Sequence, residues 1–235
     1  GDNSYRFAGA SSTVNNYVCF GSTTPCSADN LYRIIGVFGD KVKLIKATTI
    51  GEKEWDSNDE NTWSTSSLNT YLNNEFINTF DETTKGNIAE TTWKVGGNTS
   101  ANISKQPAKT AYQNEINHPV TTNTTDNATT YSAKVGLMYA SDYGFAAAPS
   151  AWTANLNTYN GAAIKSANWM YMGRYEWTIS RHAGGSNLVF IVYYTGVVDG
   201  IDAYAGCAVR PVFYLTSSVN YVSGSGTTAD PIAVN

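Results

Sequence analysis

The residues whose types could do chemistry are few and scattered. The 235-residue chain holds two histidines, His118 and His182, and three cysteines, Cys19, Cys26 and Cys207. A Ser/His/Asp relay would need one of those histidines, and no serine sits in a Gly-x-Ser-x-Gly elbow. His118 precedes Pro119 in a polar stretch and reads as a solvated loop residue. Gly184-Gly185 leads into an apolar run of strand type, which is not the context of a phosphate-cradling loop. Asp56, Asn58 and Glu60 have the alternating oxygen-ligand spacing of a calcium loop. They lack the Gly at the sixth position and the acid at the twelfth that an EF-hand requires. No set of catalytic types assembles. The expectation is a protein that is not an enzyme, with no cofactor and no required metal.

What does concentrate is recognition chemistry. Between Arg181 and Tyr204 the chain carries Arg181, His182, Asn187, Tyr193, Tyr194, Asp199, Asp202 and Tyr204. Tyrosine with short polar residues is the mixture that paratopes use, because Tyr offers rigid contact area at low entropy cost. These eight are the candidate ligand-binding residues. Strand residues alternate sides, so about half of them would face the core; Val189, Ile191 and Val197 are the better core candidates, while Phe190, Val192 and Tyr194 share one parity, and which parity faces out stays open at this point.

The stretch Glu176–Leu215 must position them. It reads as a Trp-led strand at Glu176–Ser180, a small-residue loop, an apolar strand at Leu188–Thr195, a turn at Gly196, and a closing run Val209-Arg210-Pro211-Val212-Phe213-Tyr214-Leu215. Upstream, Leu31–Phe38 and Val42–Ala47 flank Gly39-Asp40 and predict a hairpin. Alternation would turn Val42, Leu44 and Ala47 inward and leave Lys41, Lys43 and Lys46 in water, where they could guard an edge. Residues 51–62 read as a solvated loop. Residues 63–80 predict one helix, with Ser64, Thr65 and Ser66 as N-cap candidates and Leu68, Leu72, Phe76 and Phe80 as its core stripe. Asp81 would cap a second short helix. Residues 98–130 read as a long surface excursion with four Asn-x-Ser/Thr triplets at Asn98, Asn102, Asn123 and Asn127, a weak glycosylation signal in so Asn/Thr-rich a chain. Val135–Tyr139 reads as a buried strand, and Ser141 as the N-cap of a short helix. Residues 149–168 read as a further polar loop.

Bulk properties narrow the setting. Only 14% of residues are charged, and the net charge of −4 leaves no basic footprint for nucleic acid. No apolar run is long enough to span a membrane. Cys19 and Cys26 bracket a turn and would come within disulfide reach if their flanks pair, pointing to an oxidising, extracellular or cell-surface location. Cys207 is left over as a small apolar residue. The sequence opens on Gly1 rather than Met, and the expectation is that an export signal or anchor lies outside it.

Three blocks carry a family resemblance, in order along nearly the whole chain: YRFAG with NLYRIIGVF and KVKLIK (from Tyr5, Asn30 and Lys41), WSTSSLNTYLNNEFI (from Trp63), and EWTISR with AVRPVFYL (from Glu176 and Ala208). The chain resembles bacterial surface proteins of the C-type-lectin fold, in the branch with formylglycine-generating-enzyme-like domains. That implies an α+β, C-type-lectin-like fold over residues 1–235 as a single domain, with small antiparallel sheets, one or two main helices and long loops. It also implies scaffold roles for Trp177, Arg210 and Pro211. The same fold houses the variable proteins of diversity-generating retroelements, which would place a variable face between Arg181 and Tyr204. The enzymes of this branch use paired cysteines near the C-terminus, or a histidine-rich iron site; Cys207 alone and the distant His118 and His182 match neither. The Glu-Pro-Asn motif of calcium-dependent lectins is absent as well. The reading is therefore a non-catalytic ligand-binding or adhesion module for a protein or carbohydrate ligand on a cell surface. Its alternative is a pilin-like structural subunit that self-assembles or attaches to a pilus or cell wall.

Overall fold

The computed structural model describes residues 4–22, 25–98, 103–117 and 129–235. Among these residues the chain is mixed α and β, with short helices around three sheets. The N-terminal strands are β1 (Tyr5–Arg6), β2 (Tyr17–Cys19), β3 (Leu31–Phe38), β4 (Lys41–Lys46) and β5 (Glu52–Lys53). Helices α1 (Ser67–Asn74) and α2 (Glu82–Gly86) follow, then β6 (Ile88–Ala89), β7 (Thr91–Lys94), α3 (Ala108–Tyr112), β8 (Thr130–Ala133), β9 (Val135–Gly136), α4 (Ala140–Ala146) and α5 (Ala162–Ser166). The C-terminal part is all strand: β10 (Glu176–Arg181), β11 (Leu188–Val192), β12 (Val198–Asp202), β13 (Cys207–Ala208), β14 (Val212–Leu215), β15 (Tyr221–Ser223) and β16 (Ile232–Val234).

The largest sheet has nine strands, in the order β15-β16-β2-β3-β4-β14-β6, with β1 on β3 and β9 on β14. The second runs β12-β11-β10-β13-β5, and β7-β8 form a separate pair. The larger sheet exceeds the small sheets expected. Parallel contacts of β16 with β2 and of β10 with β13 interrupt an otherwise antiparallel arrangement.

The Gly39-Asp40 hairpin forms as predicted, with Gly39 at φ +62° where a side chain would be strained. Its lysines do not lie where alternation puts them. Strand β4 is no edge: it pairs with β3 on one side and β14 on the other. Lys43 is buried with its Nζ 2.5 Å from Asp142 Oδ2, among the rings of Phe38, Trp93, Tyr139 and Tyr214. Lys46 is buried too and donates to Asp29 O at 2.7 Å. Both faces of an interior strand are covered, so charged residues there must find partners rather than water.

The predicted helix 63–80 is broken into a 3₁₀ turn (Trp63–Thr65), α1 and a second 3₁₀ turn (Phe76–Thr79). Ser66 caps α1 by accepting from Asn69 N at 3.2 Å. Its stripe holds: Leu68, Leu72, Phe76 and Ile77 are buried, and Phe80 is half-buried. Asp81 caps α2 through Thr84 N. Residues 103–117 are packed rather than a surface excursion. Ile103, Ala108 and Ala111 are fully buried, α3 continues into a π-helical turn (Gln113–Asn117), and Glu115 is buried. Of the glycosylation triplets, Asn98 is buried; Asn102, Asn123 and Asn127, like His118, lie outside the described residues. Only Val135–Gly136 of the buried 135–139 segment is strand. Tyr139, not Ser141, precedes the first turn of α4, whose Asp142 accepts from Tyr139 N at 2.9 Å. In the supposed polar loop 149–168, Tyr159 is fully buried, its hydroxyl 3.1 Å from Gly144 O and Ala151 O.

Candidate functional site

The scaffold of the C-terminal sheet rests on Glu176, Trp177, Arg210 and Pro211, all buried. Trp177 Nε1 donates to Lys53 O at 2.8 Å, tying β10 to β5. Arg210 grips Glu176 bidentately (Nε to Oε1 2.5 Å, Nη2 to Oε2 3.0 Å) and donates to Met170 O. Pro211 O accepts from Lys46 N, linking this run to the larger sheet. Burial lifts the Glu176 carboxyl above its ordinary range, and the Arg210 guanidinium draws it partly back.

All six residues of β10 are buried, so Arg181 is not a surface residue. Its guanidinium donates to Val95 O at 3.1 Å and lies 3.5 Å from Asn61 Oδ1, and burial lowers its pKa. The reason is the place of β10 between β11 and β13, with residues 95–98 laid across its end. His182 is half-buried, stacked on Phe190 at 5.5 Å, and its Nδ1 accepts from Gly184 N at 2.9 Å. Burial pulls its pKa down, against the pull of Asp199. Within β11 both parities are buried from Val189 to Val192, so no residue between them can serve as contact surface.

The remaining candidates separate into two groups. Leu188 pairs with Asp202, and Val192 with Val198. One group therefore sits at the start of β11 and the tyrosines five residues on, roughly 17 Å away, with Asp199 opposite Ile191 between them. Asp199 and Asp202 are three residues apart on one strand and so project to opposite sides. At the first end, Asn187 Nδ2 donates to Asp202 Oδ1 (3.1 Å) and Asp59 Oδ2 (3.2 Å), and Tyr204 N donates to Asp59 Oδ1 (3.3 Å). Asp59 holds a left-handed backbone, φ +57°. The loop 55–61, read as solvated, is in fact welded here: Asn61 Nδ2 lies within 3.0 Å of His182 O, Gly185 O and Leu188 O. Asp56, the first residue of the calcium-like spacing, is buried and accepts from the backbone N–H groups of Asn58, Glu60 and Ser67.

At the other end stands a tyrosine cluster. Tyr175 meets Tyr193 at 5.2 Å and Tyr194 at 5.3 Å, both edge-on. Tyr171 Oη donates to Tyr194 O at 2.6 Å, and Tyr193 Oη to Gly200 O at 3.1 Å. Tyr175 is 41% and Tyr194 53% exposed. Burial raises the Tyr193 pKa, helped by Asp199, so its hydroxyl stays a donor. Tyr171 and Tyr175 escaped the sequence reading because they precede β10; the density of tyrosine from Tyr171 to Tyr175 was the available signal.

Cys19 and Cys26 are joined, with Cα atoms 5.6 Å apart, a bond that suits an extracellular protein. Cys207 is free and buried, its thiol pushed up to about 12 by burial. Among the described residues no group of three or more His, Cys, Asp or Glu could hold a metal ion, and no helix is long and apolar enough to cross a membrane.

Fold and site together describe a mixed α and β protein in which aromatic and polar side chains stand at the two ends of the β11–β12 hairpin. The chain belongs to the family described as a domain of unknown function, DUF6273, whose model matches residues 39–217. That span runs from the β3–β4 turn to just past β14 and so takes in the tyrosine cluster and the Glu176–Arg210 pair. Neither a curated protein nor a solved structure matches the chain.

Proposed function

We propose that this chain is a non-catalytic extracellular binding or adhesion module on a C-type-lectin-like scaffold, engaging a protein or carbohydrate ligand on a cell surface. The observation that carries the reading is the cluster of exposed Tyr175 and Tyr194 on half-buried Tyr193, fixed by hydrogen bonds from the Tyr171 and Tyr193 hydroxyls to backbone carbonyls. Rigid aromatic rings with a hydroxyl rim bind with little loss of side-chain freedom. Asp199, exposed on the neighbouring strand opposite Ile191, adds an acceptor between this cluster and His182. His182, Asn187, Asp202 and Tyr204 serve in this reading as a second, more polar end. The test is a glycan and peptide microarray probed with the labelled chain and with its Tyr175→Ala/Tyr194→Ala variant. The reading expects a defined set of array ligands to be bound, and lost in the variant at unchanged melting temperature. Binding that survives in the variant removes the cluster as the site.

A second reading, a pilin-like structural subunit, draws on a different feature. Strand β15 is the outermost strand of the nine-stranded sheet, and Tyr221 and Val222 on it are 66% and 55% exposed. An exposed apolar edge is a template for pairing with another copy. Sedimentation of the chain at rising concentration separates the two: a subunit assembles, and its Val222→Lys variant does not.

A further inference from the structure

On another part of the molecule, a 3₁₀ turn at Ala28–Asn30, strand β4, helix α1 and the 3₁₀ turn Phe76–Thr79 line a groove of about 440 Å³. That is within the size range of small-molecule sites. Lys46 lies in its wall, only 5% exposed. Its ammonium has three donors, and among the described residues its one hydrogen bond is to Asp29 O at 2.7 Å. Asp29 also lines the groove, and its carboxylate has no hydrogen-bond partner among the described residues. Asp81 lines the groove as well. Each of its oxygens takes one bond, from Thr84 N and Thr84 Oγ1, which leaves further acceptor capacity. Tyr71 and Phe80 supply aromatic surface beside these groups, and Lys53 Nζ sits 3.7 Å over the Tyr71 ring.

The lining thus offers unspent donors from a buried cation, unspent acceptors from two carboxylates, and ring faces. A simple anion would meet Asp29 and Asp81, and a simple cation would meet Lys46. Hydroxyl groups donate and accept at once, so a polyhydroxylated ring satisfies both signs together while its C–H face lies on the aromatic side chains. We propose that this groove is a saccharide-binding site for one or two pyranose rings, with Lys46 donating to ring hydroxyls and Asp29 and Asp81 accepting from them. It is separate from the tyrosine cluster and does not depend on it.

The test is saturation-transfer and amide-shift NMR on the whole chain with glucose, galactose, mannose and N-acetylglucosamine. The expected result is binding of at least one of them, with shifts at Asp29, Asn30, Tyr71 and Phe80. Asp29→Asn and Lys46→Met should each weaken it by about tenfold or more, and Tyr194→Ala should leave it unchanged. Asp29 is exposed, so its variant keeps the test decisive should Lys46→Met fail to fold. No binding of any of the four sugars overturns the proposal. So does binding that persists in Asp29→Asn, or shifts that map to Tyr175 and Tyr194 instead; that last outcome would leave the tyrosine cluster standing as the sugar site.

Discussion

Arg210 and Glu176 face each other inside the C-terminal sheet, each side chain 2% exposed. Removing one partner strands the other as a buried charge, which typically costs 3–5 kcal/mol. Arg210→Met should therefore lower the unfolding free energy by about 4 kcal/mol in a urea titration; a loss below about 1 kcal/mol would mean the pair is solvated. Glu115 makes a pH prediction. It is buried, accepts from Ala140 N, Ser141 N and Ser180 Oγ, and burial raises its pKa to about 7 from 4.5. A carboxyl raised in the folded state contributes stability that is complete below its unfolded value and is lost as pH climbs through about 7. The urea midpoint should fall between pH 5 and pH 8, and Glu115→Gln should flatten that fall. An identical slope in the variant would show that Glu115 is already ionised at pH 5. The lysines of β4 show how far side chains were legible. Their alternation is plain in the sequence, but its reading assumed an edge. That β14, some 170 residues on, pairs with β4 is a long-range fact that local pattern does not contain. Asp142 is its counterpart. Burial works to raise its pKa, yet Lys43 and Arg6 on either side hold the carboxyl below its ordinary range.

Among the elements, those with strong local signals matched. The Gly39-Asp40 hairpin, the Ser66 and Asp81 caps and the apolar stripe of α1 all follow from short-range chemistry. What the stripe could not show was the break after Asn74, where α1 gives way to a tighter turn. Leu72 is fully buried within this stripe, and Leu72→Ala should cost about 2–5 kcal/mol by guanidinium titration. A cost under 1 kcal/mol would mean that α1 is not part of the core. The C-terminal hairpin was legible as strands but not as a surface. The even spread of candidates from Arg181 to Tyr204 suggested one face, whereas register divides them between two ends and burial removes Arg181. Residues 98–130 misled because Asn, Thr and Ala carry little hydrophobic signal, although Ala108 and Ala111 are fully buried.

For the whole molecule, the α+β expectation came from the resemblance and holds as a mixed α and β class, while the nine-stranded sheet depends on pairings that join both termini. One is the parallel contact of β16 with β2, which places Ala233 opposite Cys19. The disulfide from Cys19 closes a short loop at this junction. A loop that short is worth about 2 kcal/mol. Thiol reduction should lower the chain's stability by about that amount without changing its strand content in circular dichroism. Collapse of the far-ultraviolet signal on reduction would instead make the bond a condition of folding. The central claim is that the surface formed by Tyr175, Tyr193 and Tyr194 binds a ligand. The most direct measurement is the paired microarray of the wild type and its Tyr175→Ala/Tyr194→Ala variant, read beside their melting temperatures. Ligands bound by the wild type and lost in an equally stable variant are the predicted result. An equal pattern in both proteins, or no bound ligand for the wild type, would contradict the claim.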